Sequence, residues 1–186
     1  GPSVASIQSM VDAYRAALGG VNNGNVAGPL DAGRREINWD GGGSTATSLV
    51  PTPFEGFLVN RGALFTTPGT GFVQAPVDGL VTTFGDPSFA TGFQAFSPVR
   101  LFAPIESDVT VVDFFVPGGG NIPALTTGFG AIFSDVDDPN GVGGSSSAST
   151  FVFFLDEHGR LLFNSAVPAA PAAASPSFFG IVYDDP

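Results

Sequence analysis

The chain has 186 residues, 43% apolar and 12% charged, with 26 glycines, 16 prolines and 19 phenylalanines. That is enough apolar content for a sizeable core and too little charge for a disordered segment. Seventeen acidic residues against six arginines, with no lysine, give a net charge of −11, which argues against nucleic acid and anionic membrane surfaces; the lack of cysteine excludes thiol catalysis, disulfides and cysteine zinc sites.

No run of about 18 apolar residues occurs, so no segment is expected to span a membrane as a helix. Gly1-Pro2 reads as a protease-cleavage remnant, which is compatible with a removed leader. Val4, Ile7, Val11, Tyr14 and Leu18 recur at spacings of three and four. This predicts an amphipathic helix over residues 1–20, capped by Ser3, stopped by Gly19-Gly20 and packed on a single domain over 21–186. Val21–Arg35 is an Asn/Gly-rich loop. Ile37 and Trp39 then alternate with Glu36, Asn38 and Asp40, which predicts a strand, and Gly41 to Pro53 is read as an exposed loop.

From Phe54 onward short apolar runs alternate with Gly, Pro and Asp turns. Strands are expected over Gly56–Asn60, Ala63–Thr67, Gly71–Ala75, Leu80–Phe84, Phe93–Phe96, Val99–Ala103 and Val109–Val116. Four more follow at Gly128–Ser134, Thr150–Asp156, Arg160–Ala166 and Phe178–Tyr183. With no helical pattern between them, the fold class expected is mainly β: an antiparallel jelly-roll-like β-sandwich with one N-terminal amphipathic helix. Gly141–Ser149 and Val167–Pro176 are read as loops, and runs such as Phe151-Val152-Phe153-Phe154 as core. Phe129–Asp135 and Phe179–Asp185 share the order Phe-Gly-apolar-apolar-aromatic-polar-Asp, with a glycine in each that would admit a close neighbour.

Asp135, Asp137, Asp138 and Asn140 place four oxygen-bearing side chains on one turn. Ca²⁺ favours six to eight such oxygens, so the cluster is a candidate calcium site, with Asp184 and Asp185 as further donors. The alternative is an Asx-rich turn capping its own backbone. Trp39 between Asn38 and Asp40 suits a sugar-stacking platform with flanking hydrogen-bonders, or equally a structural tryptophan. His158 in Asp156-Glu157-His158-Gly159 fits a hairpin turn better than a general base. Glu36, Asp40, Glu55, Glu106, Asp113 and Glu157 are the carboxylates from which a glycosidase pair would be drawn, and spacing alone selects none of them. Asp113 interrupts an apolar run, so it is either exposed at a sheet edge or partnered by an arginine such as Arg100.

Gly33–Gly41 (Gly-Arg-Arg-Glu-Ile-Asn-Trp-Asp-Gly), Pro68–Phe72, Phe96–Phe102 and Thr127–Asp137 together resemble a group of secreted bacterial β-sandwich proteins. Some of those carry a C-terminal sorting tail of the PEP-CTERM type. The resemblance covers Asn22 to Tyr183 and implies a secreted or cell-surface domain without an assigned reaction. It also implies one or two further strands beyond Tyr183, so that a chain stopping at Pro186 is either truncated or leaves an open sheet edge for a homo-oligomeric partner.

The function expected first is a non-enzymatic extracellular domain that binds a glycan or cell-surface polymer, with calcium as a cofactor. A structural envelope or filament subunit that assembles by strand addition is the second expectation, and a carboxylate-based glycoside hydrolase the third.

Overall fold

The computed structural model describes residues 2–41, 43–136, 150–170 and 172–184. Helix α1 spans Val4–Ala17, starting where Ser3 is extended and donates its N–H to Ser6 Oγ at 3.2 Å. Ile7 and Val11, the centre of its apolar stripe, are buried. Gly19 and Gly20, at φ of 102° and 76°, end it.

The strands that follow are β1 (Ser48–Pro51), β2 (Phe54–Phe57), β3 (Ala63–Thr66), β4 (Gly71–Ala75), β5 (Leu101–Ile105) and β6 (Val111–Phe114). A second group comprises β7 (Gly128–Ser134), β8 (Phe151–Leu155), β9 (Leu161–Ala166) and β10 (Pro176–Val182). Short helices α2 (Leu58–Arg61), α3 (Val77–Phe84) and α4 (Phe89–Gly92) lie within the first group. All the ladders are antiparallel and form four small sheets, β1-β4-β5, β2-β3-β6, β7-β10 and β8-β9. The protein is therefore mainly β, as expected. Among the described residues the pairings close no barrel and stop short of the two sheets of a jelly roll.

Several local expectations are corrected. Residues 80–84 are helical. Pro76 sets the entry to α3, Gly85 takes the left-handed conformation that ends it, and Thr82 and Thr83 bond back to Asp78 and Gly79 carbonyls. Phe93–Phe96 forms no ladder. Phe93 instead packs, with Phe89, onto a cluster of Val73, Ala75 and Leu80. Conversely, Ser48–Pro51 lies where a loop was expected and is an edge strand, with Val50 opposite Phe72; prolines are tolerated at such edges because the missing N–H faces away from the ladder. The strand expected around Trp39 has no ladder either, and only Arg34 bridges, to Asn22.

The main core is aromatic. Ala63, Phe65 and Phe72 are buried together, and Ile37, Trp39, Val50, Phe54, Phe57, Phe102 and Val112 pack on them. Phe102 lies between Trp39 and Phe72, stacked at centroid distances of 4.0 and 4.7 Å. The cluster of Val73, Ala75 and Leu80 covers the opposite side of β4, so every residue of that strand is buried.

The second half is layered differently. The two look-alike segments pair with each other, placing Gly130 directly opposite Gly180. Those glycines make room for one ring: a Cβ on Gly130 would stand 2.7 Å from Tyr14 Cε1, and one on Gly180 2.8 Å from Tyr14 Cδ2. Tyr14 also packs on Phe178 at 5.3 Å, and its hydroxyl donates to the Ile181 carbonyl at 3.3 Å. Burial raises the Tyr14 phenol above its ordinary range. On the other face of β7–β10, Phe129, Phe179 and Tyr183 meet Phe154 of β8 at 6.1 to 6.2 Å. Helix α1 and the β8–β9 hairpin thus cover opposite faces of one two-stranded ladder.

Candidate functional site

Asp135 follows β7 directly and has a φ of 60°. Its N–H donates to the Ser175 carbonyl at 3.1 Å, and its carboxylate accepts the Ala174 N–H at 3.3 Å. In the described part of the acidic turn, therefore, the carboxylate caps backbone on the approach to β10. Asp137, Asp138 and Asn140, the other proposed calcium donors, lie outside the described residues, as do Asp185 and the loop Gly141–Ser149. Among the described residues no three His, Asp or Glu side chains are arranged to hold a metal ion.

Asn38, Trp39 and Asp40 do not converge on one surface. Trp39 has one face on Phe102, with Phe57 and Phe65 at 5.5 and 5.4 Å in edge contacts. Asp40 is 5% exposed, and its Oδ1 accepts the N–H groups of Val99 and Arg100 at 3.1 and 2.8 Å. Asn38 is exposed. The pair Trp39 and Asp40 ties this stretch to β5 through stacking and backbone bonds.

Glu36 is paired with Arg15 at 2.8 Å and Arg34 at 2.6 Å. Burial pulls its carboxyl up, but hydrogen bonds from Arg34 and Arg15 outweigh that and hold it below the usual carboxylate range. Around it, Arg35 donates to the Val26 and Gly28 carbonyls, and Arg61 to those of Glu36 and Gly24. Of the six arginines, two thus hold Glu36 and two hold carbonyls of the Asn/Gly-rich loop, a network the sequence reading did not find. Its signal was present: a ladder-free loop needs donors for its carbonyls, and a paired Arg34-Arg35 supplies them in fork geometry. Asp113 is exposed on β6, the edge of its sheet, while Arg100 is buried and donates to the Gln74 carbonyl.

His158 lies on the turn of the β8–β9 hairpin. Asp156 Oδ1 accepts the N–H groups of His158 and Arg160, both at 2.8 Å, and Gly159 takes a φ of 75°. The imidazole is exposed, 3.7 Å from Glu157. A shallow cavity of about 270 Å³ lies between α2 and residues 116–121, lined by Leu58, Val59, Val116, Gly118–Gly120 and Asn121, with no ionisable side chain in its wall.

The largest departure from expectation is the hairpin itself. Phe154 and Val152 are half-buried, whereas Phe151 is 53% exposed, Phe153 62% and Leu155 54%. The run read as core is core on one side only. Alternation puts Phe151, Phe153 and Leu155 together on the outer face, where an antiparallel ladder ordinarily carries polar residues. Exposed Leu161 and Leu162 lie beside them at a bulge in β9. An apolar face on a chain of this acidity is the strongest surface anomaly in the described structure.

Compared with known protein families, curated proteins and solved structures, the chain matches none.

Proposed function

We propose that this chain is a non-enzymatic structural subunit of an extracellular or envelope assembly, built by adding strands of neighbouring copies to its open sheet edges. The supporting observation is that β7–β10 and β8–β9 are each two-stranded, so among the described residues each of these four strands pairs along one edge only. Two-stranded ladders are marginal alone, and unpaired edges are templates for another strand. In this reading the two ladders belong to a jelly-roll-like sandwich that neighbouring copies complete, by the same backbone pairing that β-augmentation uses. Glycan binding through Asn38, Trp39 and Asp40 draws no support from their geometry, because a ring platform needs an open face and converging hydrogen-bonders.

Light scattering across a concentration series, with electron microscopy of the concentrated sample, tests the reading. Mass rising with concentration is the expected result. A monomer at every concentration overturns it.

A further inference from the structure

We infer that the outer face of the β8–β9 hairpin is a contact between two copies of this chain, packed face to face about a two-fold axis. The inference rests on the assembly reading above and names the surface and the partner. Phe151, Phe153, Leu155, Leu161 and Leu162 are each more than half exposed. With two half-exposed phenylalanines, whose rings bury roughly 150–250 Å² each when covered, and three half-exposed leucines, the five amount to on the order of 500 Å² of apolar surface per copy. A standard interface buries about 800 Å² per partner, of which about 56–58% is apolar. The patch therefore holds the whole apolar share of such an interface.

A second copy is the occupant that this surface fits. An isologous contact requires nothing except the same patch twice, and outward side chains of two sheets interdigitate when the sheets stack about 10 Å apart. Charge agrees. The hairpin's ionisable groups, Asp156, Glu157, His158 and Arg160, are confined to its turn, and Asp156 is paired with Arg160. The net charge of −11 makes copies repel, so the contact strengthens as salt screens charges beyond a Debye length of about 8–10 Å. Salt would weaken a contact held by ion pairs.

Sedimentation equilibrium from low to high salt, on the whole chain, tests this. The expected result is a dimer that tightens with salt and is weakened about 30-fold or more by Phe153→Glu, as for an interface hot spot. Circular dichroism checks that the variant folds. Because the chain has no cysteine, Phe153→Cys provides a second readout that does not depend on the glutamate variant. Under mild oxidation it cross-links into dimers, whereas Val59→Cys, at a position 66% exposed and away from the hairpin, does not. Assembly that persists in Phe153→Glu without cross-linking at 153 overturns this face and leaves the assembly reading standing. A monomer under all conditions overturns both. A monomer that floats with phosphatidylcholine vesicles assigns the face to lipid and also overturns the inference.

Discussion

Phe72 and Phe153 each lie within a five-residue strand, and the strand of Phe153 is the more apolar of the two, yet Phe72 is wholly buried and Phe153 is 62% exposed. The difference lies in what surrounds the strand. β4 is paired on both edges, by β1 and β5, and packed on both faces, with stacked Phe102 on one and Leu80 on the other. β8 is paired along one edge, by β9, and of its three rings only Phe154 meets a ring of the ladder beneath. Both clusters of buried apolar residues belong to strands and helices between Ala63 and Leu80. The second half instead distributes its aromatic rings through thin layers. Apolarity alone therefore does not say whether a strand is a centre or a boundary.

The sharpest way to break this contrast is Phe72→Ala, expected to cost about 3–5 kcal/mol because the cavity opens between rings that cannot collapse into it. Urea unfolding checks it. Gly130→Ala tests the second half and is expected to cost about 1–3 kcal/mol by pushing a methyl group into the Tyr14 ring, a loss partly relieved in Gly130→Ala/Tyr14→Ala. Acid then probes the tie between α1 and the loop. The Glu36 carboxyl titrates lower folded than unfolded, so its contribution is complete above the ordinary value of 4.5 and is lost as pH falls through the depressed one. Glu36→Gln is expected to flatten that acid limb in urea midpoints measured against pH. The smallest effect is expected from Phe153→Thr in dilute protein, within about 0.5 kcal/mol of the parent, since its side chain faces outward. A loss comparable to that of Phe72→Ala would erase the contrast.

Much of the architecture was legible in the residues. The 3–4 spacing from Val4 to Leu18 marks α1, and glycine-bounded runs locate β4 and β7 to the residue. Asp156-Glu157-His158-Gly159 announces its hairpin because Gly159 alone there takes positive φ easily. The likeness of Phe129–Asp135 to Phe179–Asp185 anticipates a shared structural task, though not that the two segments pair with each other. Other stretches misled for physical reasons. Leu80-Val81-Thr82-Thr83-Phe84 has β-type residues, but the turn begun at Pro76 decides for helix. Ser48–Pro51 hides behind Pro51 and the following Pro53. The candidate site was less legible still. Trp39 and Asp40 look polar-aromatic in sequence, but their partners, Phe102, Val99 and Arg100, lie some 60 residues on. The outward side of Phe151-Val152-Phe153-Phe154 was hidden too, because a run apolar at every position does not reveal which face lacks a cover.

The seating of Tyr14 over Gly130 and Gly180 has a consequence for the order of events on the ribosome. The hydroxyl of Tyr14 and its acceptor on Ile181 are 167 residues apart. At 5–20 residues per second, translation delivers the acceptor roughly ten to thirty seconds after the helix emerges. Through that interval Tyr14 can meet only the β7 half of its seat, at Gly130, and the half supplied by Phe178 and Gly180 of β10 closes last.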